Sequence, residues 1–253
     1  LLVCLAAYSS TIIQELEIKL DINAGPTFCL GKVDDVIQEV LSNEGLQRSD
    51  IQAIGIGVPG PVVINKGTVG MPPIMRGWNN FPISDTLSKK WNCPVLLNND
   101  AELGAVGEWA YGRGRGENNL AYIKVGTGIG AGLIFDSNIY QGTTGSAGEI
   151  GHITINEKGP KCSCGNYGCL EAYIGAKAIA KRAQEELSKG RRSQLVGLGD
   201  LYEITTSDII KAAKRGVLLS QQIISETGAY LGTAVAGLVN LLNPSIGIIG
   251  GVL

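Results

Sequence analysis

Charge is scarce in this chain. Only 17% of its 253 residues are charged, the formal net charge is −2 and the pI is about 5.6. No basic run rises above an ordinary solvated surface, so this segment alone is a poor binder of nucleic acid. Arg113-Gly114-Arg115-Gly116 is too short to change that and reads as a loop after a helix. No basic start followed by an apolar stretch and a cleavage site is present, so no secretory signal is visible. The longest apolar run, Ala229 to Leu242, is broken by Gly232, Thr233, Gly237 and Asn240. It is too short and too polar to span a bilayer. A cytoplasmic protein with no membrane partner is the expectation. Six cysteines in a chain of this length are too few and too unevenly spaced for a secreted disulfide scaffold. Histidine occurs once, at His152.

Apolar residues and glycine are plentiful. A hydrophobic share of 44% supports a large core, organised as one domain of two lobes or as two small domains. The first lobe is placed at residues 1–98 and the second at 99–253. Thirty-six glycines mark turns and close backbone approaches. The chain opens on Leu1-Leu2-Val3-Cys4-Leu5 and closes on Ile248-Ile249-Gly250-Gly251. Both read as interior segments, so part of a longer polypeptide is expected.

The cysteines are concentrated where the histidine is. Gly148-Glu149-Ile150-Gly151-His152 is followed by Cys162-Ser163-Cys164 and Gly168-Cys169-Leu170-Glu171. One imidazole and three thiols, His152, Cys162, Cys164 and Cys169, make a complete tetrahedral Cys₃His set for structural zinc within a loop of residues 152–169. Disulfides or free thiols are the alternative. Cys4, Cys29 and Cys93 lie elsewhere, in apolar or turn contexts. Glu149 and Glu171 flank the set and could accept hydrogen bonds from polyol hydroxyls. Without a metal they would be two surface glutamates. His152 can bind a metal through one ring nitrogen and donate from the other.

Periodicity places these residues on an alternating framework. Leu1 to Asp21 reads as two strands around Tyr8-Ser9-Ser10. Val33, Val36, Ile37, Val40 and Leu41 keep helical spacing up to Gly45. Ile51–Val58 and Pro94–Asn98 read as buried strands, with a proline- and glycine-rich loop from Gly70 to Asn80 and a short helix over Asp85–Trp91 between them. A helix follows over Ala101–Tyr111. Leu120–Val125 and Gly132–Phe135 form a hairpin turning through Gly126 to Gly132. Helices are predicted over Ala172–Leu187, Ser207–Arg215 and about Leu218–Leu242, then a strand over Ile246–Ile249. This is an α/β pattern of two sheets, each backed by helices, with a ligand cleft expected between the lobes.

Two further segments carry chemistry. Gly126-Thr127-Gly128-Ile129-Gly130 could cradle a phosphate with backbone N–H groups and the Thr127 hydroxyl. Glycine-rich hairpin turns are also common without that role. Asp100 sits where a strand gives way to a helix, beside Asn98 and Asn99. It is either a helix cap or a general base for phosphoryl transfer.

Together these segments resemble the ROK family, named for repressors, open reading frames and sugar kinases. The matching residues are Gly57-Val58-Pro59-Gly60, Asn99-Asp100-Ala101, Gly126 to Gly130, Gly148 to His152, the cysteine cluster through Glu171, Leu242-Asn243-Pro244 and Gly250-Gly251. The resemblance implies an actin-like, hexokinase-like (ribonuclease H-like) two-lobed α/β fold with an inserted zinc loop, usually dimeric. It implies that Asp100 is the catalytic base and that Gly60, Asn99, Asp100, Glu149, His152 and Glu171 bind a hexose. Gly126, Thr127, Gly128 and Gly130 then match a phosphate segment, Gly250 and Gly251 the adenosine region, and His152, Cys162, Cys164 and Cys169 the zinc ligands. The family kinases begin with Asp-x-Gly-Gly-Thr, and no such segment occurs here, so a full ATP site is not expected from this chain as given.

Two functions follow from the resemblance. One is the effector domain of a transcriptional regulator, which senses a mono- or small saccharide and acts on DNA only through a domain outside this chain. The other is an ATP- and Mg²⁺-dependent hexose kinase with Asp100 as base. Asn23 to Pro26, Pro72 to Trp78, Gly107-Glu108-Trp109 and Cys164 to Ala172 resemble the xylose-repressor-like branch more than the glucokinases. The regulator is therefore placed first. An isolated metal-binding module would not need the sugar-type carboxylates.

Overall fold

The computed structural model describes residues 1–70, 75, 77–195 and 201–251. Part of the expected loop from Gly70 to Asn80, including Pro72 and Pro73, lies outside the described residues. The chain divides into two compact units, Leu1–Asp100 and Ala101–Leu253.

The first unit opens with an antiparallel hairpin of β1 (Leu2–Ala6) and β2 (Ile12–Glu17). Its turn passes through Ser10 at φ 65°, and Ala7 N–H donates to the Thr11 carbonyl at 2.9 Å. Helix α1 (Pro26–Asn43) starts with proline at its first turn, where no intrahelical donor is needed. Its buried face comprises Cys29, Leu30, Asp34, Val36, Ile37, Val40 and Leu41, which is the predicted stripe extended by one turn. Strand β3 (Ile54–Val58) starts later than predicted, after a 3₁₀ turn over Arg48–Asp50 and an irregular stretch at 51–53. After the short antiparallel pair β4 (Val62–Val63) and β5 (Thr68–Val69), helix α2 (Ile83–Trp91) leads to β6 (Val95–Asn99). β6 lies parallel to β3, with Val58 opposite Asn99. Neither strand is buried on both faces: Leu96 of β6 is 70% exposed. A cavity of about 650 Å³ lies over α1 between β1 and the segment 50–57.

The second unit is a sheet with helices on both faces. After α3 (Asp100–Tyr111), the strands β7 (Leu120–Val125), β8 (Ile129–Phe135), β9 (Asn138–Ile139) and β10 (Ile246–Gly251) form one sheet in the order β10-β7-β8-β9. β10 runs parallel to β7, and the other pairs are antiparallel. Period-two alternation divides the faces. Ala121, Ile123, Val125, Ile129, Ala131 and Leu133 pack with Ile174, Ala234 and Leu238. Leu120 and Ile134 pack with Ala105 of α3, joined by Trp109, Tyr122, Ile246 and Ile248. Ile174 belongs to α4 (Glu171–Ile174), and Ala234 and Leu238 to α7 (Leu218–Leu242). Helices α5 (Ala176–Ser188) and α6 (Thr206–Lys214) add a helical cluster with the first turns of α7 around Ile179, Ala183, Ile209, Leu219 and Ile223. The single helix predicted over 172–187 is broken at Gly175, where ψ is 150°. Helix α7 ends as its sequence dictates, on Asn243 in the left-handed conformation (φ 44°) just before Pro244.

The glycine turn is shorter than expected. β8 begins at Ile129, so Gly130 is a strand residue opposite Lys124 and the turn is only Gly126 to Gly128. Glycine within β8 has another cause. A Cβ on Gly132 would lie 2.4 Å from the Ala101 carbonyl oxygen and 2.6 Å from the Ala105 Cβ. The missing side chain is what lets α3 lie against the strand. Gly132→Ala is expected to destabilise the chain by about 1–3 kcal/mol, the usual cost of overpacking, read as a lower urea midpoint. An unchanged midpoint would contradict this packing.

Candidate metal centre and carboxylate site

Four potential metal ligands converge in the second unit. The ligand atoms of His152, Cys162, Cys164 and Cys169 all lie within 4.8 Å of one another. Cys162 Sγ is 3.6 Å from His152 Nδ1, and Cys164 Sγ is 3.7 Å from Cys169 Sγ. A tetrahedral ion with about 2.3 Å bonds to sulfur and about 2.05 Å to nitrogen separates sulfur from sulfur by about 3.8 Å and sulfur from nitrogen by about 3.6 Å. The two measured edges match that figure. In the structure Cys162, Cys164 and Cys169 are free thiols.

Local backbone geometry builds this loop. His152 closes a 3₁₀ turn over Ile150–His152. Two isolated bridges, Thr154 with Cys169 and Lys161 with Tyr167, fold the cysteine segment back on itself. Cys162 N–H donates to the Asn166 carbonyl at 2.8 Å, and Gly168 N–H to the Pro160 carbonyl at 2.8 Å. Gly168 has φ 67°, and a Cβ there would fall 1.6 Å from the Asn156 carbonyl oxygen, so no other residue fits. Burial and the neighbouring thiols push the Cys169 pKa up to about 12. Such a thiol is a weak acid on its own, and a bound cation is what would ionise it.

Both flanking glutamates are attached to this loop. Glu149 Oε2 is 3.9 Å from His152 Nε2. With Nδ1 turned to the Cys162 sulfur, Nε2 is the ring nitrogen on the Glu149 side, beyond direct hydrogen-bond reach of its carboxylate. Glu171, the first residue of α4, accepts a hydrogen bond from Ile129 N–H at 3.0 Å through Oε2 and one from Ser163 Oγ at 3.4 Å through Oε1. It therefore ties the cysteine loop to the start of β8. A Cβ on Gly128 would sit 2.9 Å from its Oε2.

The glycine turn offers fewer donors than its sequence implies. Gly126 N–H is used by the Gly128 carbonyl at 3.1 Å, and Ile129 N–H by Glu171. The Gly126 carbonyl in turn accepts from Ala176 N–H at 3.0 Å. Gly250 and Gly251 end β10, paired with Lys124 and Val125, and a Cβ on Gly250 would meet the Tyr122 hydroxyl at 2.5 Å.

In the first unit, the Asn99 side-chain amide donates to the Gly60 carbonyl at 2.9 Å, and Gly60 itself has φ 94°. These two residues, far apart in sequence, are thus brought together at the ends of β6 and β3. Asp100 is the first residue of α3, where a carboxylate is favoured by the helix dipole. Sequence reasoning missed Glu102, which is 3% exposed and accepts from Gln141 Nε2 at 2.8 Å. Burial pushes its pKa up, the Gln141 hydrogen bond pulls it down, and the Glu149 charge pushes it up. A glutamate two residues into a helix carries no local sequence mark of such burial or of a partner 39 residues away.

Comparison with known proteins identifies the family. The ROK family profile matches residues 27–253. A xylose repressor of Caldicellulosiruptor bescii is 38% identical over 216 residues, covering 85% of this chain and 54% of the repressor. A glucokinase of Halalkalibacterium halodurans is 36% identical over 242 residues, covering 95% of this chain and 73% of the kinase. The chain thus spans about half the length of that repressor. Among solved structures, a ROK family transcriptional regulator described as a homologue of the E. coli MLC protein superposes with a TM-score of 0.85 at 30% identity, over 99% of this chain and 62% of the regulator. A ROK glucokinase from Streptomyces griseus, in complex with glucose and AMPPNP, superposes at 0.83 and 28% identity, over 98% of this chain and 78% of the kinase. The fold is the actin-like, hexokinase-like α/β fold of these neighbours. With nine-tenths of its length matched, the chain belongs to the ROK family.

Proposed function

We propose that this chain is the sugar-binding region of a ROK transcriptional regulator, and that its ligand is a mono- or small saccharide. The observation that carries the reading is the pair of glutamates on the metal loop. Glu149 lies beside the His152 ring, and Glu171 is fixed on the Ile129 amide and the Ser163 hydroxyl. Glu171, held in this way, can accept hydroxyl hydrogen bonds without first losing side-chain freedom, and Glu149 stands beside the same loop with its carboxylate 3.9 Å from the His152 ring. The family pattern adds His152, Gly60, Asn99 and Asp100 to the sugar set. The Streptomyces griseus glucokinase binds glucose, which supports a sugar as the ligand class. DNA contact would come from a domain outside this chain, in a cytoplasmic homodimer.

The metal is proposed to be zinc in a structural role. A Cys₃His set closes the tetrahedron with protein ligands and leaves no position for water or substrate. When bound, the ion would neutralise the thiolates and lock the loop that carries both glutamates. The reduced chain is expected to hold one zinc ion. Cys164→Ser should lose it and weaken sugar binding by about 10-fold or more, checked by elemental analysis and calorimetry. Reduced wild-type protein without metal would contradict this assignment.

The second reading is an ATP- and Mg²⁺-dependent sugar kinase. Asp100 at the start of α3 supports it, as does the glucokinase that covers 95% of this chain. Phosphate would then meet Thr127, Gly128 and the neighbouring Gly126 and Gly130, with Gly250 and Gly251 towards the nucleotide. The regulator comes first because two amides at this turn are already engaged, one of them by the carboxylate of Glu171. Wild-type protein is expected to bind a pentose or hexose without releasing ADP from ATP. Sugar-dependent ADP release that disappears in Asp100→Asn, with sugar affinity retained, would establish the kinase instead.

A further inference from the structure

Two residues beyond Asp100, the carboxyl of Glu102 is almost completely removed from water. Burying such a group is costly unless a partner holds it. Its main chain is pressed onto β8, since a Cβ on Gly132 would lie 2.9 Å from Glu102 Cα. Its Oε2 takes the Gln141 side-chain N–H at 2.8 Å, across 39 residues of sequence. Gln141 is the foot of the arm that carries Glu149. Ala147 N–H donates to the Gln141 carbonyl at 3.1 Å and closes the loop. Ala131 N–H of β8 then donates to the Gly148 carbonyl at 2.7 Å, directly before Glu149. The arm is therefore fixed at its far end by β8 and at its foot by Glu102. An apolar residue could fill the same space but could not specify where the Gln141 amide points.

We infer that Glu102 is a positioning residue of the carbohydrate site, orienting the arm that presents Glu149 through its hydrogen bond to Gln141. The inference rests on the sugar-binding reading above and adds a residue that need not touch the ligand. It also links α3 to the arm of the metal loop within the second unit.

The test is a double-mutant cycle on the metal-loaded chain, with D-glucose and D-xylose titrated calorimetrically into wild type, Glu102→Ala, Gln141→Ala, the double variant and Glu102→Gln. For whichever sugar binds, each alanine variant should weaken affinity by about 10-fold or more. The double variant should be no worse than the weaker single one, because both remove the same link. Glu102→Gln keeps an acceptor for Gln141 and should bind within about 2-fold of wild type. Metal content should be equal throughout, which separates positioning from collapse of the loop. If Glu102→Ala fails to fold, Gln141→Ala and Glu102→Gln still decide the matter. Wild-type binding with unchanged affinity in Gln141→Ala, or strictly additive losses, would overturn the inference alone. Wild-type protein that binds neither sugar would overturn it together with the sugar-binding reading.

Discussion

The hydrogen bond from Ala131 N–H to the Gly148 carbonyl, 2.7 Å long, pins the segment leading to Glu149 and His152 against a strand of the second unit's sheet. Most of the candidate site depends on that strand. At its first residue, Ile129, the amide holds Glu171. One residue past Ala131, Gly132 admits α3 so closely that a methyl group there would meet the Ala101 carbonyl. Both glutamates and the metal-ligand turn are thus referenced to β8, a strand with well-packed helices on both faces. Catalytic or recognition groups are held best by rigid elements, and here the loop residues take their positions from β8.

The metal cluster adds a second constraint at the other end of the same arm. His152 Nδ1 faces the Cys162 sulfur while Nε2 lies 3.9 Å from Glu149 Oε2, so one imidazole stands between the cysteine cluster and a carboxylate. Ser163, between two of the cysteines, reaches Glu171. The loop is thereby coupled to each glutamate separately. A structural ion held by these thiols would fix the loop, and with it the positions of the two glutamates.

Much of this was legible in the sequence because the marks were local. His152 and the three cysteines are close along the chain, and ligand count alone named the set. The amphipathic stripe of α1 and the Asn243-Pro244 stop of α7 follow from side-chain period and backbone preference. Other features depended on tertiary contacts. The helix over 172–187 looked continuous, yet it breaks at Gly175, whose neighbour Ala176 donates its amide to the glycine turn. The turn itself read as a seven-residue loop because successive glycines suggested a turn, whereas Gly130 and Gly132 are strand residues, and Gly132 is kept small by the helix above it. Glu102 and Gln141 could not be paired from sequence at all, since nothing local links them.

If the metal loop and the proposed carbohydrate site are one physical unit, sugar binding depends on the metal. Calorimetric titration of D-glucose and D-xylose into metal-loaded and chelator-stripped protein tests this most directly. Saturable binding that requires the metal, and returns when zinc is restored to the stripped protein, is the expected result. Equal binding with and without metal, or no binding in either state, would contradict the account.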